Sequence, residues 1–380
     1  MAATSLVMMA VMMVVMAVVV VGGHASPAPP PRSAHSSTTD VATPNEHQKN
    51  RDGKLFNLQF LPFVSLVVVP PVACRTQSDN STGTCASAGD CARGGGKADG
   101  TCNSGFAVCC VYQLRCGQTL RYNNSYLVND DYPSTLMDID NCQYTIQKTN
   151  DNVCQIRLDF EKLELAGPDN TSSCSVDTFT FVGTAGSNPT VICGKNNGQH
   201  MYLDLGSGNS AARINIATTS TNASRSWRIR VTQLPCSSPS RAPSNCLQYY
   251  TDYSGTIKSF NYQNTVGRHQ LAAQNYAICI RTRDGFCGIK YIADHFSMSQ
   301  SAETPTERKG DANCKLDFIN VPAVNKDGSV TLEDRYCGSQ LNELVTYSKP
   351  FEVRVVTNGA EETSEVNNRG FSIRYTQIPC

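Results

Sequence analysis

The sequence has little charge, and neither sign of charge prevails. Of its 380 residues only 17% are charged, and 32 Lys and Arg balance 32 Asp and Glu. Proteins drawn to nucleic acid or acidic membranes by long-range attraction carry an excess of positive charge. We therefore expect no nucleic-acid partner. A chain of this length has room for two or three domains of roughly 150 residues each.

The short motifs of common hydrolases are also missing. No two histidines have the spacing of a zinc-peptidase helix, and no Gly-x-Ser-x-Gly is present. The segment Gly206–Ser210 comes nearest, but it lacks the strand, turn and helix that a nucleophilic serine needs. We therefore expect that the protein is not an enzyme. The six histidines are His24, His35, His47, His200, His269 and His295.

No stretch keeps the 3.6-residue period of an amphipathic helix for twelve residues. Several segments instead alternate apolar and polar residues, which is typical of antiparallel strands with one buried face. Turn-forming clusters separate these segments, and together they predict an all-β protein of the sandwich class. The alternating segments are Gln155–Phe160, Ala212–Ile216, Trp227–Val231, Phe351–Val355 and Phe371–Tyr375.

The longest uncharged apolar run, Leu6–Val21, lies at the N-terminus. A small-x-small site ending at Ala25 and a proline cluster follow it, which predicts a signal peptide over residues 1–25. Cleavage after Ala25 would leave a secreted chain that begins at Ser26 and has no membrane span. The alternative is an uncleaved anchor, because the run falls only just short of a membrane-spanning length.

Residues 26–73 form the next segment. Residues 26–54 are rich in Pro, Ser, Thr and charge and have no period, so we expect a flexible tail. Residues 55–72 are apolar, but Pro62 interrupts them and Pro70 and Pro71 end them. These prolines exclude a spanning helix and favour extended segments packed against another part of the protein.

Cysteine is abundant. The eighteen cysteines are even in number and lack metal-ligand spacing, which indicates disulfides formed in an oxidising compartment. They divide into three blocks of six, at residues 74–110, 116–236 and 246–380. The second block ends in Val231–Cys236 and the third in the similar Tyr375–Cys380. This repeat of roughly 130 residues marks two tandem domains of one fold, here called the first repeat (116–236) and the second repeat (246–380).

Each repeat carries a set of short motifs. In the first repeat these are Cys116-Gly117, Cys142-Gln-Tyr-Thr-Ile146, Cys174-Ser-Val-Asp177 and Cys193-Gly194; in the second they are Cys314-Lys-Leu-Asp317, Cys337-Gly338 and Arg369-Gly-Phe-Ser-Ile-Arg-Tyr375. Both repeats resemble CUB domains, which are extracellular antiparallel β-sandwiches of the jelly-roll type. The run Tyr276–Tyr291 is similar to the divergent CUB domains of insects and crustaceans, so the resemblance is to arthropod-type secreted proteins.

Each repeat has two cysteines more than an ordinary CUB domain: Cys154 and Cys287 in a mid-domain strand, Cys236 and Cys380 at the end. We expect the two additional cysteines of each repeat to pair with each other. With the pairs that the resemblance implies, the expected disulfides are Cys116–Cys142, Cys154–Cys236, Cys174–Cys193, Cys246–Cys279, Cys287–Cys380 and Cys314–Cys337.

The first block, called the six-cysteine module (residues 74–110), ends in the adjacent pair Cys109 and Cys110. It resembles the clip domain of arthropod proteases. Such a small unit has few large apolar residues, and disulfides would stabilise it. The resemblance implies the pairs Cys74–Cys109, Cys85–Cys102 and Cys91–Cys110.

The CUB resemblance also suggests a place for Ca²⁺. The first repeat supplies Glu164 and Asp177, but Thr219 stands where a third carboxylate is expected; the second repeat supplies Asp317 and Asn358. Ca²⁺ affinity falls with the number of charged ligands, so we expect no obligatory cofactor and at most weak Ca²⁺ binding. The alternative is that the two aspartates only cap turns.

Four sequons predict N-glycosylation, at Asn80, Asn123, Asn170 and Asn222. The resemblance implies a secreted, non-enzymatic binding or adaptor protein that contacts extracellular proteins or glycans. One alternative is a non-catalytic regulator or cofactor of a clip-protease cascade, with proteases as partners. The other is a structural protein of extracellular matrix, egg coat or seminal fluid.

Overall fold

The computed structural model describes residues 68–183, 185, 190–205, 211–267, 269–299, 306–331, 333–361, 365 and 367–380. The predicted signal peptide, the tail and most of the apolar segment lie outside these residues. Val68 and Val72, at the end of the apolar segment, are exposed. The described residues fold almost entirely into strands, which confirms the all-β prediction. Within them, no helix is long and apolar enough to cross a membrane.

The six-cysteine module is a four-stranded sheet with one short α-helix and a single 3-10 turn at Asn103–Gly105. Its strands run in the order β1-β2-β4-β3, and the Ser87 hydroxyl caps the helix by accepting a hydrogen bond from the Asp90 amide at 3.0 Å. The module contains the disulfides Cys74–Cys109, Cys85–Cys102 and Cys91–Cys110, the pairs that the resemblance implies. Its elements are β1 Ala73–Arg75, β2 Thr82–Ala86, α1 Ala88–Arg93, β3 Lys97–Cys102 and β4 Ala107–Val111.

The first repeat is a sandwich of two sheets. One sheet has the strand order β10-β12-β8-β6 and the other has the order β11-β9-β13-β7-β5. The strands are β5 Gln113–Leu114, β6 Thr119–Leu120, β7 Ser125–Val128, β8 Asn141–Ile146, β9 Val153–Glu164, β10 Asp177–Val182, β11 His200–Asp204, β12 Ala212–Thr218 and β13 Ser226–Pro235.

Alternating side chains build the core of this sandwich. On β13 the buried residues Trp227, Ile229 and Val231 alternate with partly exposed arginines. The Trp227 indole Nε1 donates a hydrogen bond to the Tyr144 hydroxyl at 2.9 Å, which satisfies the polar atom of the buried ring. The five segments predicted from their alternation all lie within strands.

The second repeat has two sheets as well, with strand orders β14-β16-β22-β19-β20-β18 and β15-β23-β17-β21. Its strands are β14 Cys246–Tyr250, β15 Ser254–Lys258, β16 Asn275–Ile280, β17 Phe286–Ser297, β18 Glu307–Lys309, β19 Phe318–Asn320, β20 Arg335–Gly338, β21 Leu344–Thr346, β22 Phe351–Val356 and β23 Gly370–Pro379.

Six disulfides hold the two repeats, and they join the pairs expected from the sequence. In the first repeat the additional bond links Cys154, on β9, to Cys236, directly after β13, with a Cα–Cα distance of 4.8 Å. In the second, Cys287 and Cys380 are the same distance apart. β9 pairs with β13 and β17 with β23, so each bond fastens the ends of two neighbouring strands. The six bonds are Cys116–Cys142, Cys154–Cys236, Cys174–Cys193, Cys246–Cys279, Cys287–Cys380 and Cys314–Cys337.

The two repeats contact each other through buried polar groups. The Tyr249 amide of the second repeat donates a hydrogen bond to His200 Nε2 at 3.0 Å, and the Ala242 amide of the linker between the repeats donates one to Gln155 Oε1 at 2.8 Å. A buried apolar cluster spans the same contact and consists of Tyr202, Leu234, Ala242, Cys246, Tyr249, Ala277 and Cys279. The repeats are therefore packed against each other as well as linked by the chain.

Candidate functional site

Asp177 begins strand β10 of the first repeat, three residues after Cys174, and it is fully buried. The Arg225 guanidinium lies against it, with Nε 2.7 Å from Oδ2 and Nη2 2.8 Å from Oδ1. The Ala166 amide donates a further hydrogen bond to Oδ2 at 2.6 Å. Both carboxylate oxygens thus face a bidentate partner. This corrects the expectation of Ca²⁺ at Asp177, because Arg225 already supplies the positive charge.

Glu164, the other residue proposed for that site, has separate partners. Its Oε1 accepts a hydrogen bond from Asn197 Nδ2 at 2.8 Å, and Lys162 Nζ lies 3.8 Å from Oε2. At the late-loop position the Thr219 hydroxyl donates to the carbonyl of Val176 at 2.7 Å. Glu164 and Asp177 therefore have different partners, and within the described residues neither belongs to a group of three potential metal ligands, so these two residues do not form a candidate cation site.

The corresponding aspartate of the second repeat, Asp317, has different neighbours. Asp317, Glu361 and Glu365, here called the acidic cluster, each place one carboxylate oxygen within 4.8 Å of the other two. Their side chains are buried, with exposed fractions of 0%, 7% and 4%. Within the described part of the chain, neither Asp317 nor Glu361 forms an ion pair with Lys or Arg. The acidic cluster is therefore a concentration of buried carboxyl groups.

Neutral donors contact this cluster. The Asn358 amide donates to Asp317 Oδ1 at 2.8 Å, and Gln270 Nε2 donates to Glu361 Oε1 at 2.7 Å. The Ser299 hydroxyl donates to Glu365 Oε1 at 2.8 Å. The second oxygen of Asp317, Oδ2, is buried without a hydrogen-bond partner. An unpartnered oxygen in such a place is costly unless a cation coordinates it.

The electrostatics of the cluster point the same way. Burial, with a contribution from Glu365, raises the pKa of the Asp317 carboxyl to about 6. Burial and then repulsion from Asp317 raise the pKa of the Glu361 carboxyl to about 8. Hard divalent cations such as Ca²⁺ prefer several carboxylate oxygens, and binding one would offset this repulsion. The three residues therefore fit a divalent cation.

An arginine in the corresponding position does not reach the acidic cluster. Arg369 stands two residues before Phe371, as Arg225 stands two residues before Trp227. Its positive charge lowers the pKa of both His269 and His295, after the larger effect of burial. The Arg369 charge therefore lies near those rings. Arg369 forms no ion pair within the described residues, so Asp317 lacks the arginine partner that Asp177 has.

Of the two residues expected to bind Ca²⁺ in the second repeat, the structure places Asp317 in the acidic cluster and directs the side chain of Asn358 elsewhere. The Asn358 side-chain oxygen accepts from the Ala360 amide at 3.3 Å, so this residue meets Asp317 through its backbone. Sequence reasoning missed Glu361 and Glu365. The sequence feature that could have indicated them is the pair of acidic residues four positions apart in the loop between β22 and β23. A second cluster with potential ligands, Cys116, Asp140 and Cys142, is not a metal site because its two cysteines are bonded to each other.

A second feature lies between the six-cysteine module and the first repeat. It is a cleft of about 430 Å³, here called the arginine cleft, in which Tyr112 and Tyr122 stack with ring centroids 4.1 Å apart. Arg121 donates to Gln147 Oε1 at 2.7 Å and has no acidic partner among the described residues, whereas Arg93 pairs with Asp90. The lining residues are Arg93, Gly94, Gly95, Tyr112, Gln113, Leu114, Gln118, Thr119, Arg121 and Tyr122.

Two strand edges border the arginine cleft. β5 ends one sheet of the first repeat and β6 ends the other, so each has a strand neighbour on one side only. Such edges leave backbone donors and acceptors available to another chain. Each of these strands is only two residues long, so a docking segment would gain few backbone hydrogen bonds. The residues that line this cleft come from two separate parts of the chain, so no continuous sequence motif could have predicted it.

The sequons occupy different environments. Asn80, Asn170 and Asn222 are exposed. Asn123 is half-buried; its Nδ2 donates to the Gln233 carbonyl at 3.1 Å, and its Oδ1 accepts from the Gln233 amide at 2.7 Å. The Asn123 side chain therefore fastens the start of β7 to the end of β13.

Protein-family models match both repeats. The CUB domain model matches residues 116–231, and the animal CUB domain model matches residues 243–378. No curated protein matches the chain. Among solved structures, the CUB1-EGF-CUB2 domains of rat MASP-1 are 14% identical, with 70% of this chain and 99% of that chain covered and a TM-score of 0.25. The full extracellular region of zebrafish Gpr126/Adgrg6 is 10% identical, with 70% and 37% covered and a TM-score of 0.27.

Proposed function

The chain belongs to the CUB domain family through two CUB domains in tandem, and we propose that it acts outside the cell as a non-enzymatic binding protein for partner proteins or glycans. CUB domains are commonly extracellular protein-interaction modules. Nine disulfides use all eighteen cysteines and support synthesis for an oxidising compartment. Secretion with cleavage after Ala25 is part of this proposal. N-terminal sequencing of the protein from culture medium should begin at Ser26, and an intact Met1 on membrane-bound protein would contradict it.

The observation that carries the binding proposal is the arginine cleft. Arg121 brings a positive charge that no acidic side chain of the described residues offsets, and the stacked tyrosines add a broad aromatic surface. Two open strand edges allow an extended segment to lie alongside. We therefore propose that the cleft receives an extended, acidic segment of a partner protein. Since the edges are short, the charged and aromatic contacts must supply most of the affinity.

A labelled peptide of alternating Glu and Val tests this cleft by fluorescence anisotropy. The wild-type chain should bind it with an affinity that falls as salt rises, and Arg121→Gln should weaken binding about fivefold, equivalent to about 1 kcal/mol. Arg213→Gln, which changes an exposed arginine on β12, is the matched control. The proposal fails if a Gln and Val peptide binds equally well or if Arg121→Gln has no effect. If the peptide results support the cleft, extracellular proteins captured by the wild type and lost in Arg121→Gln would identify the partner.

A second function is favoured by the six-cysteine module. Its three disulfides have the connectivity that a clip domain implies, and the module forms one wall of the arginine cleft. We propose as this alternative that the partner is a protease of a clip-protease cascade, which the chain regulates without catalysis. The same capture experiment distinguishes the two functions, because only the cascade role predicts enrichment of proteases by the wild type over Arg121→Gln.

We also propose that the acidic cluster of the second repeat holds Ca²⁺. Asp317, Glu361 and Glu365 would supply the charged oxygens, and the ion would neutralise them and fix their positions. Titration calorimetry of the full chain should detect one site with a dissociation constant near the extracellular range of about 10⁻⁴ to 10⁻³ M. Glu365→Gln, which keeps the shape of the side chain, should weaken binding at least tenfold. Unchanged binding in this variant would place the ion elsewhere.

A further inference from the structure

We propose that a divalent cation at the acidic cluster also fastens the second repeat to the first. This inference rests on the proposed Ca²⁺ site and adds a consequence that the site alone does not require. It follows from the position of the cluster, which lies directly beside the contact between the two repeats.

Glu361 connects the cluster to the first repeat through its backbone. Its amide donates a hydrogen bond to the carbonyl of Thr171 at 3.0 Å. Thr171 lies just before Cys174, whose disulfide to Cys193 holds this part of the first repeat in place. A cation that fixes the Glu361 carboxylate therefore also fixes an amide that bonds across the domain boundary.

The segment Gln270–Gln274 forms a second connection. At one end, Gln270 donates its side-chain amide to the Glu361 carboxylate. Farther along, the Ala272 amide donates to the carbonyl of Ser172 at 2.8 Å, and Gln274 Nε2 donates to the carbonyl of Val191 at 3.0 Å. The first residue of the segment thus contacts the acidic cluster. Its later residues contact the first repeat next to Cys174 and next to Cys193, the two ends of one disulfide.

The physical link between cation and interface is the repulsion within the cluster. Without a cation, three buried carboxyl groups converge and Asp317 Oδ2 lacks a partner, so an arrangement that separates them is favoured. Separating Glu361 from Asp317 disturbs the bonds of Glu361 to Thr171 and to Gln270. A cation binds only the converged arrangement, and a ligand stabilises the state that it binds.

The remainder of the interface should not respond to the cation. The hydrogen bonds from Tyr249 to His200 and from Ala242 to Gln155 involve no member of the acidic cluster. Loss of the cation should therefore loosen one part of the contact while the repeats stay joined. This difference supplies an internal control.

Hydrogen exchange of the full chain tests the inference, with Ca²⁺ alone as the probe. Ca²⁺ at 5 mM, compared with chelator, should slow exchange of the Glu361 and Ala272 amides about tenfold and leave the Tyr249 amide unchanged. Asp317→Asn should abolish the effect. Coupling is reciprocal, so Gln274→Ala, which removes a contact with the first repeat and no cation ligand, should lower Ca²⁺ affinity about threefold.

The outcomes separate the inference from the proposed site. If calorimetry detects no Ca²⁺ binding, the site itself is wrong. If Ca²⁺ binds and Glu365→Gln abolishes binding, but exchange at Ala272 is the same with and without the ion, the site stands and the coupling is wrong. Equal slowing at Ala272 and Tyr249 would show general stabilisation of the second repeat and would also overturn the inference.

Discussion

Arg225 and Asp177 form a bidentate ion pair in which both side chains are fully buried. The aspartate three residues after Cys174 is therefore neutralised from within the chain. In the second repeat the aspartate three residues after Cys314 meets two glutamates instead. The same motif position thus has an internal cation in one repeat and fits an external cation in the other.

Arg225→Gln should destabilise the first repeat by about 3–5 kcal/mol, because it leaves the Asp177 charge buried without a partner. The loss should be the same with and without Ca²⁺. Urea unfolding followed by Trp227 fluorescence measures it, and Trp227 is the only tryptophan of the chain. The double variant Arg225→Leu with Asp177→Asn should recover part of the stability, since no buried charge remains. A loss below 1 kcal/mol in the single variant would contradict the assignment.

Asp317→Asn should have opposite effects in the two conditions. In chelator it should raise the melting temperature of the second repeat, because it removes a buried carboxylate that repels the neighbouring Glu361. In Ca²⁺ at ten times the wild-type dissociation constant, the wild type should gain about 1.4 kcal/mol and the variant almost nothing. Differential scanning calorimetry reads both effects. A variant that is less stable than the wild type in chelator would show that Asp317 mainly caps its turn.

Lowering the pH should reduce the free energy of unfolding through His200, which lies in the contact between the repeats. Burial, followed by the charge of Arg157, lowers the pKa of the His200 imidazole to about 4, against about 6.5 in an unfolded chain, while Asp159 acts in the opposite direction. Between these values the unfolded chain binds the additional proton, so stability is complete above pH 6.5 and falls as the pH drops toward 4. The loss reaches about 3 kcal/mol.

The measurement is the free energy of unfolding between pH 7 and pH 4 for the wild type and His200→Gln. The variant should be less stable at pH 7, because the Tyr249 amide loses its acceptor, and its stability should vary less with pH. Subtraction of the two curves cancels the carboxyl groups that titrate in the same range. Parallel curves would exclude His200 as the responsible group.

Asn123 should carry no glycan, whereas the exposed sequons at Asn80, Asn170 and Asn222 should be occupied. The Asn123 amide is held between β7 and β13 by two hydrogen bonds to Gln233, and a sugar there would disturb both. Peptide mapping after enzymatic deglycosylation in oxygen-18 water labels each occupied asparagine, because its conversion to aspartate takes up one oxygen from the water. The residue lies next to Tyr122 of the arginine cleft, so an unmodified Asn123 also keeps the cleft open.

The strands could be predicted because their alternation records which face is buried, as on β13 with Trp227, Ile229 and Val231. Of the disulfide pairs, Cys154–Cys236 and Cys287–Cys380 followed from the repeat, and the others were implied by the resemblance to CUB and clip domains. The ion pair of Arg225 with Asp177 could not be predicted. The two residues are 48 positions apart, and the sequence does not show that the arginine side chain is buried inside the sandwich. Glu361 and Glu365 were hidden for the same reason, as their convergence on Asp317 depends on the path of a loop.

The disulfides shorten the path along which the two repeats can transmit mechanical tension. In the first repeat, a pull between Cys116 and Cys236 passes through Cys116–Cys142, along residues 142–154 and out through Cys154–Cys236. In the second repeat the loaded stretch is residues 279–287, between the bonds Cys246–Cys279 and Cys287–Cys380. The remaining strands of each sandwich lie outside this covalent route. Each repeat should therefore lengthen very little when it is stretched, and the strands outside this route should keep their hydrogen bonds under load.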